Sequence, residues 1–238
     1  MTRKDGRSHD ELRPVKIERS VLLYPEGSCL IDVGHTRVLC TATVENAVPP
    51  WLRDSGKGWV TAEYGMLPRA THERTTRGRI SGRSTEIQRL IGRSLRSVVD
   101  LSALGERGIT VDCDVLQADG GTRCAAITGG FVALVEALDW LRRQRGAFNR
   151  LPVTDLLAAS SAGVVQNVPV LDLCYAEDSE AQVDMNVAAT SRGLLVEVQG
   201  TAESCPFTRQ RYDEMIDLAL SGIKGLIEHQ REALAGLV

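Results

Sequence analysis

The chain has 238 residues, 43% of them hydrophobic and 25% charged, and a net charge of −3. That length suits a single compact unit over residues 1–238 with a sizeable core, and that hydrophobic content excludes a chain disordered outside its termini. No apolar run approaches bilayer-spanning length, and the opening MTRKDGRSHDELRP lacks the apolar stretch of a signal peptide. A cytoplasmic protein with no membrane partner is expected. Cys29, Cys40, Cys113, Cys124, Cys174 and Cys205 form no CxxC pair, which fits free thiols in a reducing compartment. The four histidines are scattered, so no zinc site is expected.

In chain order, Val15–Glu18, Ser28–Val33 and Arg37–Val44 have the composition of strands, separated by Pro25-Glu26-Gly27 and Gly34-His35. Residues 47–82 are irregular and rich in glycine, with Trp59–Ala62 the one strand-like stretch. A helix is predicted over Ser84–Asp100, capped by Ser84 or Thr85, with Ile87, Leu90, Ile91, Leu95, Val98 and Val99 as its apolar face. Ile109–Leu116 alternates like a half-buried strand. A Gly-Gly turn follows, then a long apolar helix over about Cys124–Arg143. Val168–Tyr175, Gln182–Thr190 and Leu194–Gln199 are further strands, and a last helix runs from about Thr208 to Ala235 with Tyr212, Met215, Ile216, Ala219, Ile223, Leu226 and Ile227 as its core stripe. Strand groups followed by helices, twice, predict a layered α/β domain built from two β-α halves.

Three constellations carry chemistry. Gly120-Gly121-Thr122-Arg123 lies between a strand and a helix, where glycines admit a ligand to the backbone and the helix start offers unpaired N–H groups. Thr122 adds a hydroxyl and Arg123 a charged fork, so the four residues make a phosphate seat; neither a Walker A loop nor GxGxxG is present. Asp178 and Asp184 can share a hard divalent cation such as Mg²⁺. Asp184 falls in VDMNV, an apolar strand start where an unpartnered carboxylate is costly. From Arg69 to Arg96 eight arginines face only two glutamates, which puts +6 on that segment and −9 on the rest. Arginine rather than lysine at every one of those positions favours forked recognition of phosphate. Arg69, Arg74 and Arg77 fall on the loop, and Arg83 stands where it could join Arg123 on a small anion. These pieces describe a phosphate- and metal-dependent enzyme acting on a polyanion.

The same residues carry a resemblance to the ribonuclease PH family. It runs through Lys4-Asp5-Gly6-Arg7, Glu11-Leu12-Arg13-Pro14, Glu26-Gly27-Ser28, the stretch Gly58–Thr71, Glu86–Arg93, the block Asp112–Arg123, Glu177-Asp178-Ser179, Val183–Asn186 and Glu197–Thr201. Nearly the whole chain is covered in one order. The resemblance implies a fold of the ribosomal protein S5 domain 2 kind. It implies removal of nucleotides from the 3′ ends of transfer RNA precursors, with inorganic phosphate as co-substrate and nucleoside diphosphates as products, in a reversible reaction. It also implies a homohexameric ring, a trimer of dimers.

By position Arg83, Gly121, Thr122 and Arg123 match the family's phosphate-binding residues, Asp178 and Asp184 its Mg²⁺-linked acidic pair, and Arg69, Arg74 and Arg77 its RNA-contacting arginines. Phosphate held by Arg83 and Arg123 would attack the terminal phosphodiester in line. Either Mg²⁺ on the aspartates stabilises the leaving oxygen, or one aspartate, Asp184 before Asp178, protonates it. Two departures stand out. Arg77 runs straight into Gly78-Arg79 where members carry a few more residues, and Glu203-Ser204-Cys205 replaces a Gly-rich stretch. The competing expectation is a catalytically inert ring subunit that only binds RNA in an exosome-like assembly.

Overall fold

The computed structural model describes residues 3–77 and 81–237. The shortened loop at Gly78-Arg79 therefore lies outside the described residues. The elements are β1 Val15–Arg19, β2 Gly27–Val33, β3 Thr36–Glu45, β4 Trp59–Met66, α1 Gly82–Arg96, α2 Leu101–Leu104, β5 Gly108–Gln117 and α3 Thr122–Arg145. The second half follows with β6 Leu157–Val165, β7 Val168–Leu171, α4 Tyr175–Asp178, β8 Val183–Thr190, β9 Leu195–Ala202 and α5 Arg209–Ala233.

Two sheets form. One has the order β1-β2-β3-β5-β4, the other β7-β6-β8-β9. All neighbours pair antiparallel except β4 and β5, the pair joined through α1. The inward residues of the first sheet, Ile31, Val38, Ala42, Val111 and Val115, alternate with half-buried or exposed ones, the period of two that made these strands legible. Helix α3 crosses this sheet and also packs on β6 of the second, while α5 covers the other face of the second sheet. Between Cys124 and Leu141 every residue of α3 but Glu136 and Trp140 is buried, so its sequence shows no polar stripe. It is in fact long and apolar enough to cross a bilayer by composition alone, contrary to the expectation of no such run, but it lies inside the protein.

Close packing of α3 depends on glycine. A Cβ on Gly27 would lie 2.0 Å from the Ala133 carbonyl, and one on Gly129 would lie 2.6 Å from the Ile31 side chain. Beneath the helix, Cys29, Cys40 and Cys113 are register partners on adjacent strands, all buried. The Cys40 and Cys113 thiols both point at the Ala126 carbonyl. The six cysteines are free thiols.

Several boundaries differ from the sequence reading. β4 extends to Met66, four residues beyond the expected end, because Ala62 and Tyr64 continue its buried face. Helix α1 begins at Gly82, and its cap is Ser81, whose hydroxyl accepts the Ser84 N–H at 3.1 Å; Ser84 and Thr85 lie inside the helix. β6 escaped notice because both its faces are covered and all nine residues are buried, which removes any alternation. The strand expected over Val168–Tyr175 ends at Leu171. Asp172 then takes φ +51° and turns the chain into α4.

Candidate active site

The residues between β5 and α3 form a cradle. Gly120 and Gly121 have φ of +76° and +65°, a region that glycine enters at little cost. Gly121 is left-handed and Thr122 begins the helix, a sequence of backbone conformations that converges successive N–H groups. Among the described residues the N–H groups of Gly121, Thr122 and Arg123 form no hydrogen bond, while the Gly121 carbonyl already accepts from Ala125 at 3.0 Å. Three unpaired donors thus lie at the positive end of a 24-residue helix. Thr122 is fixed from behind by Tyr64 of β4, whose hydroxyl lies 2.9 Å from Oγ1. Burial pushes the Tyr64 phenol up, against the pull of the Thr122 hydrogen bond and of the Arg83 and Arg123 charges.

The carboxylates arrive from the second sheet. Asp178 closes α4 and Asp184 is the second residue of β8. Burial pushes the Asp178 carboxyl up, opposed by Arg83 and Arg123. Burial also pushes Asp184 up, with the nearby Asp178 charge adding to it and Arg123 opposing. Neither carboxylate has an ion-pair partner within bonding range among the described residues. Asp184 accepts from Asn186 Nδ2 at 3.1 Å, and Asn186 Oδ1 accepts the Cys124 thiol of α3 at 3.3 Å. Burial, with Asp184 adding and Arg123 opposing, pushes that thiol up to about 12, so it stays a neutral donor. Arg123 itself reaches across to Gln199 of β9 at 3.2 Å.

The structure thus brings Arg83, Gly121, Thr122, Arg123, Asp178 and Asp184 into one neighbourhood, with Arg83 coming from the first turn of α1 and acting, like Arg123, on Tyr64 and Asp178. Arg69, Arg74 and Arg77 are exposed on the segment that leaves β4. That segment is pinned next to the cradle: buried Ala70 accepts the Ala118 N–H at 2.8 Å, just ahead of Gly120. Of the other arginines on α1, Arg93 pairs with Glu197 at 3.0 Å. Arg96 stacks 4.1 Å over Trp59 and donates to the Val60 carbonyl, both packing roles.

Sequence reasoning missed Tyr64, Asn186 and Gln199, and it missed the N-terminal arginines. Arg3, Arg7 and Arg13 converge on Asp172 and Glu177, which lead into and lie within α4. Tyr64, Asn186, Gln199, Arg7 and Arg13 fall inside the blocks that carry the resemblance, where no role attaches to them, and a second polar residue two positions after Asp184, on the same face of its strand, was the available signal for Asn186.

The description "3' exoribonuclease family, domain 1" matches residues 11–138, and "3' exoribonuclease family, domain 2" matches residues 155–222. Ribonuclease PH of Moorella thermoacetica is 61% identical over 241 residues, covering all of this chain and 96% of that one. Ribonuclease PH of Methylobacterium radiotolerans is 59% identical over 237 residues, covering 98% of this chain and all of its own. Among solved structures, the Archaeoglobus fulgidus exosome with RNA bound to the active site matches with TM-score 0.82 at 24% identity, over 95% of this chain and 91% of that one. Rice (Oryza sativa) Rrp46 matches with TM-score 0.80 at 21% identity, over 98% and 100%. At those identities the likeness is one of fold, and it agrees with the layered α/β architecture of the ribosomal protein S5 domain 2 kind. The chain belongs to the RNase PH family of 3′ exoribonucleases.

Proposed function

We propose that this protein is a phosphorolytic 3′-5′ exoribonuclease, a phosphate-dependent nucleotidyltransferase. The observation that carries this reading is the cradle of Gly121, Thr122 and Arg123, with unpaired N–H groups beside Arg83 and two desolvated carboxylates. A hydrolase has no use for a built phosphate seat. Inorganic phosphate bound there by the backbone and the forks of Arg83 and Arg123 has part of its charge neutralised, and can approach a phosphodiester that would otherwise repel it. A phosphate oxygen attacks the terminal phosphorus, the bond to the preceding 3′-oxygen breaks, and a nucleoside diphosphate leaves. The shortened RNA takes a proton on its new 3′-hydroxyl.

The carboxylates suit a divalent cation. Asp178 and Asp184 offer hard oxygen donors without a competing cationic side chain in contact, and burial leaves both uncomfortable as bare anions. Among the described residues no cluster of three or more metal-binding side chains occurs. Mg²⁺ keeps several waters and takes few protein ligands, so the two carboxylates would be its protein ligands here. When bound, such an ion supplies charge stabilisation to the leaving oxygen.

The exposed Arg69, Arg74 and Arg77 form the RNA grip, anchored beside the seat through Ala70 and Ala118. Transfer RNA precursors are the substrate read from the resemblance. Self-association into a homohexameric ring is the assembly read from it. Large apolar side chains left uncovered on the single chain, Leu23 at 86% and Tyr24 at 91% exposed, support an assembly. The free thiols suit the cytoplasm. An inert RNA-binding ring subunit is disfavoured because Arg83, Thr122, Arg123, Asp178 and Asp184 are all present.

The test incubates the protein with a 3′-extended transfer RNA and Mg²⁺, with and without inorganic phosphate, and identifies the released nucleotides. Diphosphates that need phosphate are expected. Monophosphates released without phosphate would make it a hydrolase, and RNA binding with no release would restore the inert subunit. Arg123→Ala is expected to abolish release while the mass measured by light scattering stays that of the ring.

A further inference from the structure

The phosphate cradle is held from behind by two residues to which the sequence attached no role. Thr36, fully buried at the start of β3, donates from Oγ1 to the Gly120 carbonyl at 2.6 Å and accepts the Asp119 N–H at 3.0 Å. Arg13, buried, donates to the Asp119 carbonyl from Nη1 and to the Gly120 carbonyl from Nη2 at 3.4 Å. In a trans peptide the C=O of one residue and the N–H of the next point in opposite directions. Fixing the Asp119 and Gly120 oxygens outward therefore aims the Gly120 and Gly121 N–H groups to the other side, and neither N–H has a partner among the described residues. We propose that Arg13 and Thr36 are positioning residues for phosphate: they hold two loop carbonyls away from the seat so that the following N–H groups face the bound anion.

Arg13 can do this because it is itself immobilised. Its main-chain N–H and Nε donate to Asp172 Oδ2 at 2.8 and 2.9 Å, and Nη2 donates to Oδ1 at 2.7 Å. The Asp172 carbonyl in turn takes Arg3 and Arg7, each at 3.0 Å. Arg3, 3% exposed, also forks onto Glu177 at 2.8 and 2.7 Å. Glu177 caps α4 from within through the Cys174 N–H, and α4 ends on Asp178. Tyr175 N–H donates to the Asp119 carboxylate at 3.2 Å. One buried strap thus backs both the seat and the helix that delivers a carboxylate. A buried ionic network is a poor source of net stability compared with apolar packing, but it fixes geometry where two halves of a site meet. Gly120 adds to this, since a Cβ there would lie 2.5 Å from the Leu173 carbonyl.

The inference rests on the phosphorolytic reading, and the test separates the two. Inorganic phosphate is titrated by calorimetry and varied in steady-state phosphorolysis, for wild type, Thr36→Val, Thr36→Ser and Arg13→Lys. Thr36→Val keeps shape and loses both hydrogen bonds. It is expected to raise the KM and Kd for phosphate about tenfold, with kcat and the KM for RNA changed by less than about threefold. Thr36→Ser is expected to restore the wild-type value. Arg13→Lys, which lacks the fork, should move the phosphate KM in the same direction. An unchanged phosphate Kd in Thr36→Val, even with a lowered Tm or kcat, overturns the positioning role and leaves the activity standing. Wild type that binds phosphate yet releases no diphosphate overturns the phosphorolytic reading instead.

Discussion

Asp184 is held where its charge is unwelcome, and that cost is measurable. Burial and the neighbouring Asp178 raise its pKa, so the folded protein favours the neutral acid. The stabilising effect of that proton is fully present below the ordinary carboxylate range and is lost as pH rises through the raised folded value. At neutral pH the ionised group therefore opposes folding. Asp184→Asn is expected to raise Tm at neutral pH, with the gain shrinking to nothing in acid, while phosphorolysis is lost. Mg²⁺ should raise the Tm of wild type and leave that of Asp184→Asn nearly unmoved; equal Mg²⁺ shifts in both would remove Asp184 from the cation site. The site residues that the sequence disclosed, Arg83, Thr122, Arg123, Asp178 and Asp184, lie in short blocks whose local chemistry is unusual. The roles of Arg13 and Thr36 were not legible because their loop partners lie 107 and 83 residues away and the Asp172 that anchors Arg13 lies 159 away, and a charged N-terminal segment looks the same whether solvated or buried.

At the scale of elements, the contact between α3 and the first sheet has no slack. Gly27→Ala would place a methyl carbon 2.0 Å from a helix carbonyl, so either β2 or α3 must move. Overpacking of this kind typically costs ~1–3 kcal/mol, and a backbone atom as the obstacle puts this case at the upper end. A fall in the midpoint of denaturant unfolding of that size is expected, and a neutral variant would mean that the helix lies farther from β2. The same contact explains what periodicity could and could not reveal. Strands of the first sheet have one face toward α3 or α1 and one face open, and the alternation of β1, β2, β3 and β5 predicts them to within one residue at each end, while β4 runs four residues past its expected end. β6, between α3 and α5, has no open face, and LAASSAGVV carries no period to find. α4 is a single turn made by Asp172 and by the strap, so its cause is tertiary and no local propensity announces it.

Across the whole molecule, the seat belongs to the segment matched by one family model and the carboxylates to the segment matched by the other. The halves are joined through α3, which touches both sheets, and through the short ties Arg123 to Gln199, Arg93 to Glu197 and Tyr175 to Asp119. The interior ties differ in how they resist opening: α3 is locked by packing on all sides, whereas α1 and β9 meet through a partly exposed ion pair worth little. Native-state hydrogen exchange is expected to be slowest in α3 and β6 and distinctly faster in β9. Uniform protection across all three would mean that the halves open only by global unfolding.

The row of thiols under α3 gives this architecture a built-in clock. Cys205 is exposed and Cys174 partly so, while Cys29, Cys40, Cys113 and Cys124 are sealed. Burial raises the pKa of Cys29 and Cys124, and the hydrogen bond that the neutral Cys40 thiol shares with Cys113, together with burial, raises that of Cys40, so the reactive thiolate is scarce even when a reagent arrives. A thiol-specific chromophore should therefore modify Cys205 within mixing time and Cys174 more slowly. Cys29, Cys40 and Cys113 should react together and last, at a rate set by α3 lifting from the sheet, while Cys124 is tied through Asn186 to Asp184 and follows the site. Whatever shifts that last phase, whether phosphate, RNA or ring formation, reports on the core, and whatever shifts Cys124 alone reports on the site, so substrate binding and core opening can be timed in one cuvette without a single substitution.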